Sequence, residues 1–189
     1  MAGKVLRHHR RRGQAETDKY RDASSLYVEL SELARTLVQE AASSPDYLLF
    51  VGPMSICFSA LCSLCDPYAC GPMRAPTQSQ EEATMQVQAV EGLRTVSDSI
   101  KDLSQQVAAY TPNSMDIDRV SIFLLDALYC GATNYAWDVR ESGNANSEES
   151  LDAIRQCLRR FTSRWRAAQE YLRILEAQEF AFAVNGAIA

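Results

Sequence analysis

The stretch LDAIRQCLRRFTSRWRAAQEYLRIL, residues 151–175, sets the fold class. Its apolar positions Leu151, Ile154, Leu158, Phe161, Trp165, Ala168, Leu172 and Leu175 alternate in steps of three and four. That spacing lines one face of an α-helix and excludes a strand, whose side chains alternate every two residues. Asn146 and Glu149 stand at capping-box spacing and predict the helix start, and the pattern predicts one continuous helix to about residue 182. Acidic Glu148, Glu149 and Asp152 precede Arg155, Arg159, Arg160, Arg164 and Arg166. This order complements the helix dipole.

The same reading extends upstream. Residues 141–147 are rich in Gly, Asn and Ser and predict a loop. Residues 114–140 predict a fourth helix that becomes apolar on most faces through Ile122, Phe123, Leu124, Leu125, Leu128 and Tyr129, a helix suited to the centre of a bundle. Thr111-Pro112-Asn113 stops the third helix, which opens at Ser79 and Glu82 and carries the stripe Leu93, Val96, Ile100, Leu103, Val107 and Tyr110. Before it, Asp66 to Ser79 reads as a loop with three prolines. The second stretch, 45–65, follows the Ser44-Pro45 start signal and is interrupted at Gly52-Pro53. The first spans 24–42, with Leu26, Leu30, Leu33, Leu37 and Ala41 on one face. No β-type alternation and no internal repeat is found. The expectation is an all-α bundle of about five helices over 24–182, with a tail at 183–189.

A chain of 189 residues with 47% hydrophobic residues can bury a substantial core. The net charge is −5, which argues against a body that binds nucleic acid non-specifically. Charge is segregated, however. Lys4, Arg7, Arg10, Arg11 and Arg12 all precede the first acid, Glu16. Residues 1–23 therefore read as a basic, disordered arm, of a kind that nuclear import factors recognise or that touches phosphates. No apolar run follows the basic stretch, so it is not a secretory signal.

Nineteen uncharged residues lie between Asp46 and Asp66, long enough to cross a bilayer. Gly52-Pro53 and the regularly spaced Ser55, Ser59 and Ser63 favour a central core helix instead. A membrane span near residues 47–65 is the alternative.

Candidate chemistry is sparse. Cys57, Cys62, Cys65 and Cys70 suggest a zinc site, but on one helix Cys57 and Cys62 point to different sides, so buried structural thiols are expected. His8 and His9, the only histidines, lie in the basic arm and offer no preorganised acid–base pair. Asp116, Asp118 and Asp126 read as helix-start and rim residues before metal ligands. Trp165 reads as core, with a stacking platform in an inter-helix pocket as the alternative. No residue stands out as a catalyst, and no cofactor or metal is expected in this chain.

Two elements carry a family resemblance. Leu125-Asp126-Ala127-Leu128-Tyr129-Cys130-Gly131-Ala132 and Arg164-Trp165-Arg166-Ala167-Ala168-Gln169-Glu170-Tyr171-Leu172 resemble the closing segment of the fungal-specific transcription factor domain. In that family a helix of the form ALY-x-AA precedes a last helix containing RW-x-x-A-x-x-YL. Ala127, Leu128, Tyr129 and Ala132 match the first, and Arg164, Trp165, Ala168, Tyr171 and Leu172 match the second. The apolar run from Phe50 to Leu64 is similar, less specifically, to the helix before them. The resemblance covers about residues 24–180.

It implies regulation of transcription by RNA polymerase II in a fungal nucleus. It implies partners among the transcription machinery or regulatory proteins, and a small-molecule effector. The family reads DNA through a binuclear zinc cluster of six closely packed cysteines. Here six cysteines span residues 57–157 with a single C-x-x-C pair, Cys62 and Cys65, so that module and its zinc are missing. The expectation is a regulatory portion without direct DNA binding and without a membrane segment.

Overall fold

A computed structural model describes residues 2–10, 16–69, 79–113 and 115–186. The described residues are all-α, with seven α-helices rather than about five. These are α1 (Ala2–Arg10), α2 (Glu16–Ser43), α3 (Leu48–Ala69), α4 (Gln80–Tyr110), α5 (Leu124–Ser142), α6 (Ala145–Phe161) and α7 (Arg166–Gly186), with a 3₁₀ turn at Asp116–Arg119. The chain divides into two compact units, Met1–Val96 and Ser97–Ala189.

In the first unit, α2 and α3 pack through Leu30, Ala34 and Ala41 on one side and Val51, Phe58, Leu61 and Leu64 on the other. Gly52-Pro53 does not interrupt α3. The residue before a proline normally avoids helical angles, partly because its Cβ meets the proline ring, and Gly52 has no Cβ. Pro53 costs one backbone hydrogen bond, and burial of Val51 and Met54 beside it outweighs that.

At the other end α3 runs through Asp66-Pro67 to Ala69, inside the expected loop; residues 70–78 of that loop lie outside the described residues. Proline has no N–H, so Pro67 leaves the carbonyl of Ser63, four residues back, without its helical donor. His9 fills that position, with Nε2 3.0 Å from the Ser63 oxygen, and must carry its proton there. His8 Nε2 lies 2.7 Å from the Tyr68 hydroxyl.

These contacts, with buried Val5 and the Lys4–Glu29 ion pair at 2.8 Å, hold α1 against α2 and α3. Residues 2–10 are thus a docked helix, not the solvated arm read from their charge. Composition could not reveal this, because the hydrogen-bond partners lie more than fifty residues away. Arg11 and Arg12 lie outside the described residues.

Helix α4 opens as expected. The Ser79 hydroxyl accepts the Glu82 N–H at 3.1 Å, and the helix ends at Tyr110 before Thr111-Pro112. Its first half belongs to the first unit and its second half to the second. The predicted helix over 114–140 is instead the 3₁₀ turn, an irregular link and α5. Ile117 and Val120 turn inward as buried anchors, and the Asp116 carboxylate accepts the Asn113 N–H at 3.3 Å. These local bonds compete with a continuous helix.

The α5–α6 link is shorter than the predicted loop. Gly143 adopts φ 63°, the left-handed cap that favours glycine. Asn144, not Asn146, is the N-cap of α6, accepting the Asn146 N–H at 3.1 Å.

The predicted last helix is broken. Helix α6 ends at Phe161 and α7 restarts at Arg166, with the Trp165 N–H bonded to the Phe161 carbonyl at 2.9 Å. Thr162 and Ser163 are weak helix formers at the break. A continuous helix over this span would extend about 54 Å. Folding back lets α7 pack on both α5 and α6.

Gly131 sets how closely α5 approaches its neighbours. A Cβ there would lie 2.8 Å from Ile100 Cγ2 and 3.3 Å from Ile154 Cδ1. Gly131→Ala should therefore destabilise the protein by about 1–2 kcal/mol. Overpacking of about 1–3 kcal/mol exceeds the roughly 1 kcal/mol of helix propensity gained. Urea unfolding of the variant measures this; unchanged or raised stability would show that the helices separate freely.

Candidate functional site

The residues that carry the family resemblance all fall in the second unit, and the structure gathers them on α5, α7 and the α6–α7 junction. On α5, Ala127, Leu128 and Ala132 are fully buried, at steps that put all three on the inner face. Tyr129, beside them, is half-buried at its edge. On α7, Ala168 and Leu172 are four apart and buried, and Tyr171 lies at the margin.

The two tyrosines meet. Their ring centroids are 4.7 Å apart with planes inclined by 18°, a stacked pair across 42 residues of chain. Such a contact contributes about 0.5–1.5 kcal/mol beyond burial alone. Burial pushes the Tyr171 phenol up from its ordinary value, and nearby Asp126, Cys130 and Tyr129 push the same way. The phenol therefore stays a neutral hydrogen-bond donor across the physiological range.

Arg164 and Trp165 sit in the junction itself. The Trp165 ring tilts against Phe161, with centroids 5.3 Å apart, and the Arg164 guanidinium lies 5.1 Å from the centre of the indole ring. Arg164 also forms an ion pair with Asp118 of the 3₁₀ turn. Trp165 is half-buried, not sealed in the core as its place in the stripe predicts. The fully buried ring at this corner is Phe161. The turn at residues 162–164 lifts Trp165 off the α6 axis while keeping its place in the count.

Several contributors escape a sequence reading. Arg160 donates to the carbonyls of Ala108, at 3.2 Å, and Thr111, closing the C-terminal end of α4 with a positive charge. Tyr135 donates to the Asp98 carboxylate at 2.6 Å, and burial together with that bond raises its phenol beyond the tyrosine range. Asp118 and Asp98 are ordinary surface acids in the sequence; only partners 46 and 37 residues away give them roles.

The cysteines do not converge. Cys57, Cys62, Cys65 and Cys157 are buried, Cys130 is half-buried, and Cys70 lies outside the described residues. Among the described residues no cluster of His, Cys, Asp or Glu is arranged to hold a metal ion. Desolvation pushes the thiols of Cys57, Cys65 and Cys157 up to about 11, 12 and 12. They are held as thiols, the unreactive form.

The first unit has a cleft of about 340 Å³ between α1 and α2. Lys4, Arg7 and His8 line one side, with Asp22, Glu29 and Leu26 opposite. Its charges answer one another across the cleft, as Lys4 and Glu29 do, and little apolar wall is left for a small ligand. The aromatic corner of the second unit is the better candidate. It presents two half-buried groups suited to binding, the stacked phenols of Tyr129 and Tyr171 and the Trp165 indole beside the Arg164 guanidinium. Compared with known proteins, the chain matches no family model, no curated protein and no solved structure.

Proposed function

We propose that this chain is a helical regulatory domain of a fungal RNA polymerase II transcription factor, working in the nucleus and without a zinc-cluster DNA reader of its own. It acts by binding a regulatory protein or a small effector at the aromatic corner, and not by catalysis. The observation that carries this reading is that the second unit holds two half-buried aromatic pairings, Tyr129 stacked on Tyr171 and the Trp165 indole beside the Arg164 guanidinium. These are the non-aliphatic members of the two elements that resemble the fungal-specific domain. Aromatic faces beside a guanidinium are suited to planar or anionic ligands.

A reporter tests it. The chain is fused to an unrelated DNA-binding domain bearing an activation segment, and output is read beside protein level. The wild-type fusion should change reporter output in a nutrient-dependent way. Trp165→Ala should remain present in the cell yet lose the response, because the indole is half-exposed. A wild-type fusion that leaves the reporter untouched under every nutrient condition would end the regulatory reading.

A second reading rests on α3, the one helix among the described residues long and apolar enough to cross a membrane. Of its most apolar stretch, 67% is buried within the protein. Expression without detergent distinguishes the two, since a membrane protein would partition with lipid.

A further inference from the structure

We infer that the corner where the 3₁₀ turn meets the α6–α7 junction docks an acidic segment of a partner protein that also carries large apolar side chains. Between Ala153 and Gln169 the chain has five arginines and no acid, although its net charge is −5. Three of the five have partners. Arg155 pairs with Asp152 and Glu179, Arg160 holds the end of α4, and Arg164 pairs with Asp118. Arg159 and Arg166, on either side of the junction, are exposed and form no ion pair among the described residues. Two guanidiniums thus face solvent beside a third whose ion pair with Asp118 is itself at the surface.

Next to them lie apolar groups without cover. Met115, Ile122 and Phe123 flank the 3₁₀ turn and are 83%, 51% and 54% exposed. The Asp118–Arg164 ion pair joins that turn to the junction that lies between Arg159 and Arg166, so the two segments carrying the apolar and the basic groups are tied together. Single exposed hydrophobic residues are unremarked on any surface, but three within nine positions beside free arginines form a mixed surface. A partner that satisfies both parts offers carboxylates to the guanidiniums and apolar side chains to Ile122 and Phe123.

A nucleic-acid backbone fits less well. Two unpaired cations are far fewer than a phosphate-binding surface uses, and Asp116 and Asp118 sit among them. Exposed aliphatic side chains also find nothing to contact on a phosphate backbone. The assignment stands apart from the transcriptional reading, because it follows from charge and exposure in this chain alone.

Fluorescence anisotropy on the full chain tests it. The probe is a short labelled peptide of Asp and Glu interspersed with Phe and Leu; the controls are the same peptide with Asn and Gln, and a short DNA duplex. The acidic peptide should bind, with affinity falling as salt rises. The amide peptide should bind about tenfold more weakly, and so should the acidic peptide to an Arg159→Gln/Arg166→Gln variant, as expected for loss of rim charges. Phe123→Ser should weaken binding by about fivefold while circular dichroism stays unchanged, which separates a lost contact from a lost fold. The proposal is overturned by no binding of the acidic peptide, by binding that neither variant reduces, or by a preference for the duplex. Self-association of the chain that masks this corner and is abolished by the same substitutions would overturn it too, by making a second copy the occupant.

Discussion

Phe161→Ala should lower stability by about 3–5 kcal/mol, whereas Trp165→Ala, four residues on, should lower it by about 2 kcal/mol. Phe161 is 1% exposed and closes α6 against its neighbours. Removing its ring leaves a cavity that the surrounding helices fill only in part. Trp165 is the larger side chain, but it is half-buried and leans on Phe161 from outside. Truncating it returns one face to solvent and forfeits the Arg164 contact, a cation–π interaction of about 0.5–1 kcal/mol at such a site. Against a total stability of roughly 5–15 kcal/mol, the first loss threatens the fold and the second leaves it standing. Urea unfolding of both variants with unchanged m-values makes the comparison. Equal losses would place the indole in the core, against its exposure, and would remove Trp165→Ala as a clean probe of the corner.

Stability should also fall steeply as pH rises above about 9. In the folded protein burial raises the Cys57, Cys65 and Cys157 thiols to about 11, 12 and 12, from 9.0 for a solvated thiol. A raised folded value means the native state keeps its proton where the unfolded chain has released it. The thiols' stabilising contribution is therefore complete below pH 9 and is lost as pH climbs through the folded values. Each thiol contributes a slope of at most about 1.4 kcal/mol per pH unit in that window. Tyr68, raised by burial to about 12, adds a loss of the same sign above pH 10. Unfolding free energies measured at pH 8, 9 and 10 should show a smaller fall over the first step than over the second. Replacing the three cysteines with alanine should flatten the fall relative to stability at pH 8. A wild-type protein equally stable at all three values would mean that the thiols ionise in place, reached by water.

Much of the helical content was legible because its signals are local. The Ser79–Glu82 cap and the stop at Thr111-Pro112 each depend on neighbours a few residues apart, and each lies where the sequence puts it. The inward placement of Ala127, Leu128, Ala132, Ala168 and Leu172 followed from helical spacing in the same way. The break after Phe161 was invisible for a matching reason. The turn at residues 162–164 keeps the three-four count in phase, so periodicity alone cannot tell one long helix from two folded back. Composition likewise made a tail of residues 2–10, since their anchors on α3 exist only once Pro67 has freed the Ser63 carbonyl and Tyr68 has been brought alongside. The sequence by itself determined that this chain would be helical, that α4 would open at Ser79 and end before Thr111-Pro112, and that Ala127, Leu128, Ala132, Ala168 and Leu172 would turn inward. Tertiary structure decided the reversal into α7, the stacking of Tyr129 on Tyr171, the pairing of Arg164 with Asp118 and the half-exposure of Trp165. Each of these depends on where distant segments meet, and that is set by the competition to bury apolar surface across the whole unit, which no local pattern encodes.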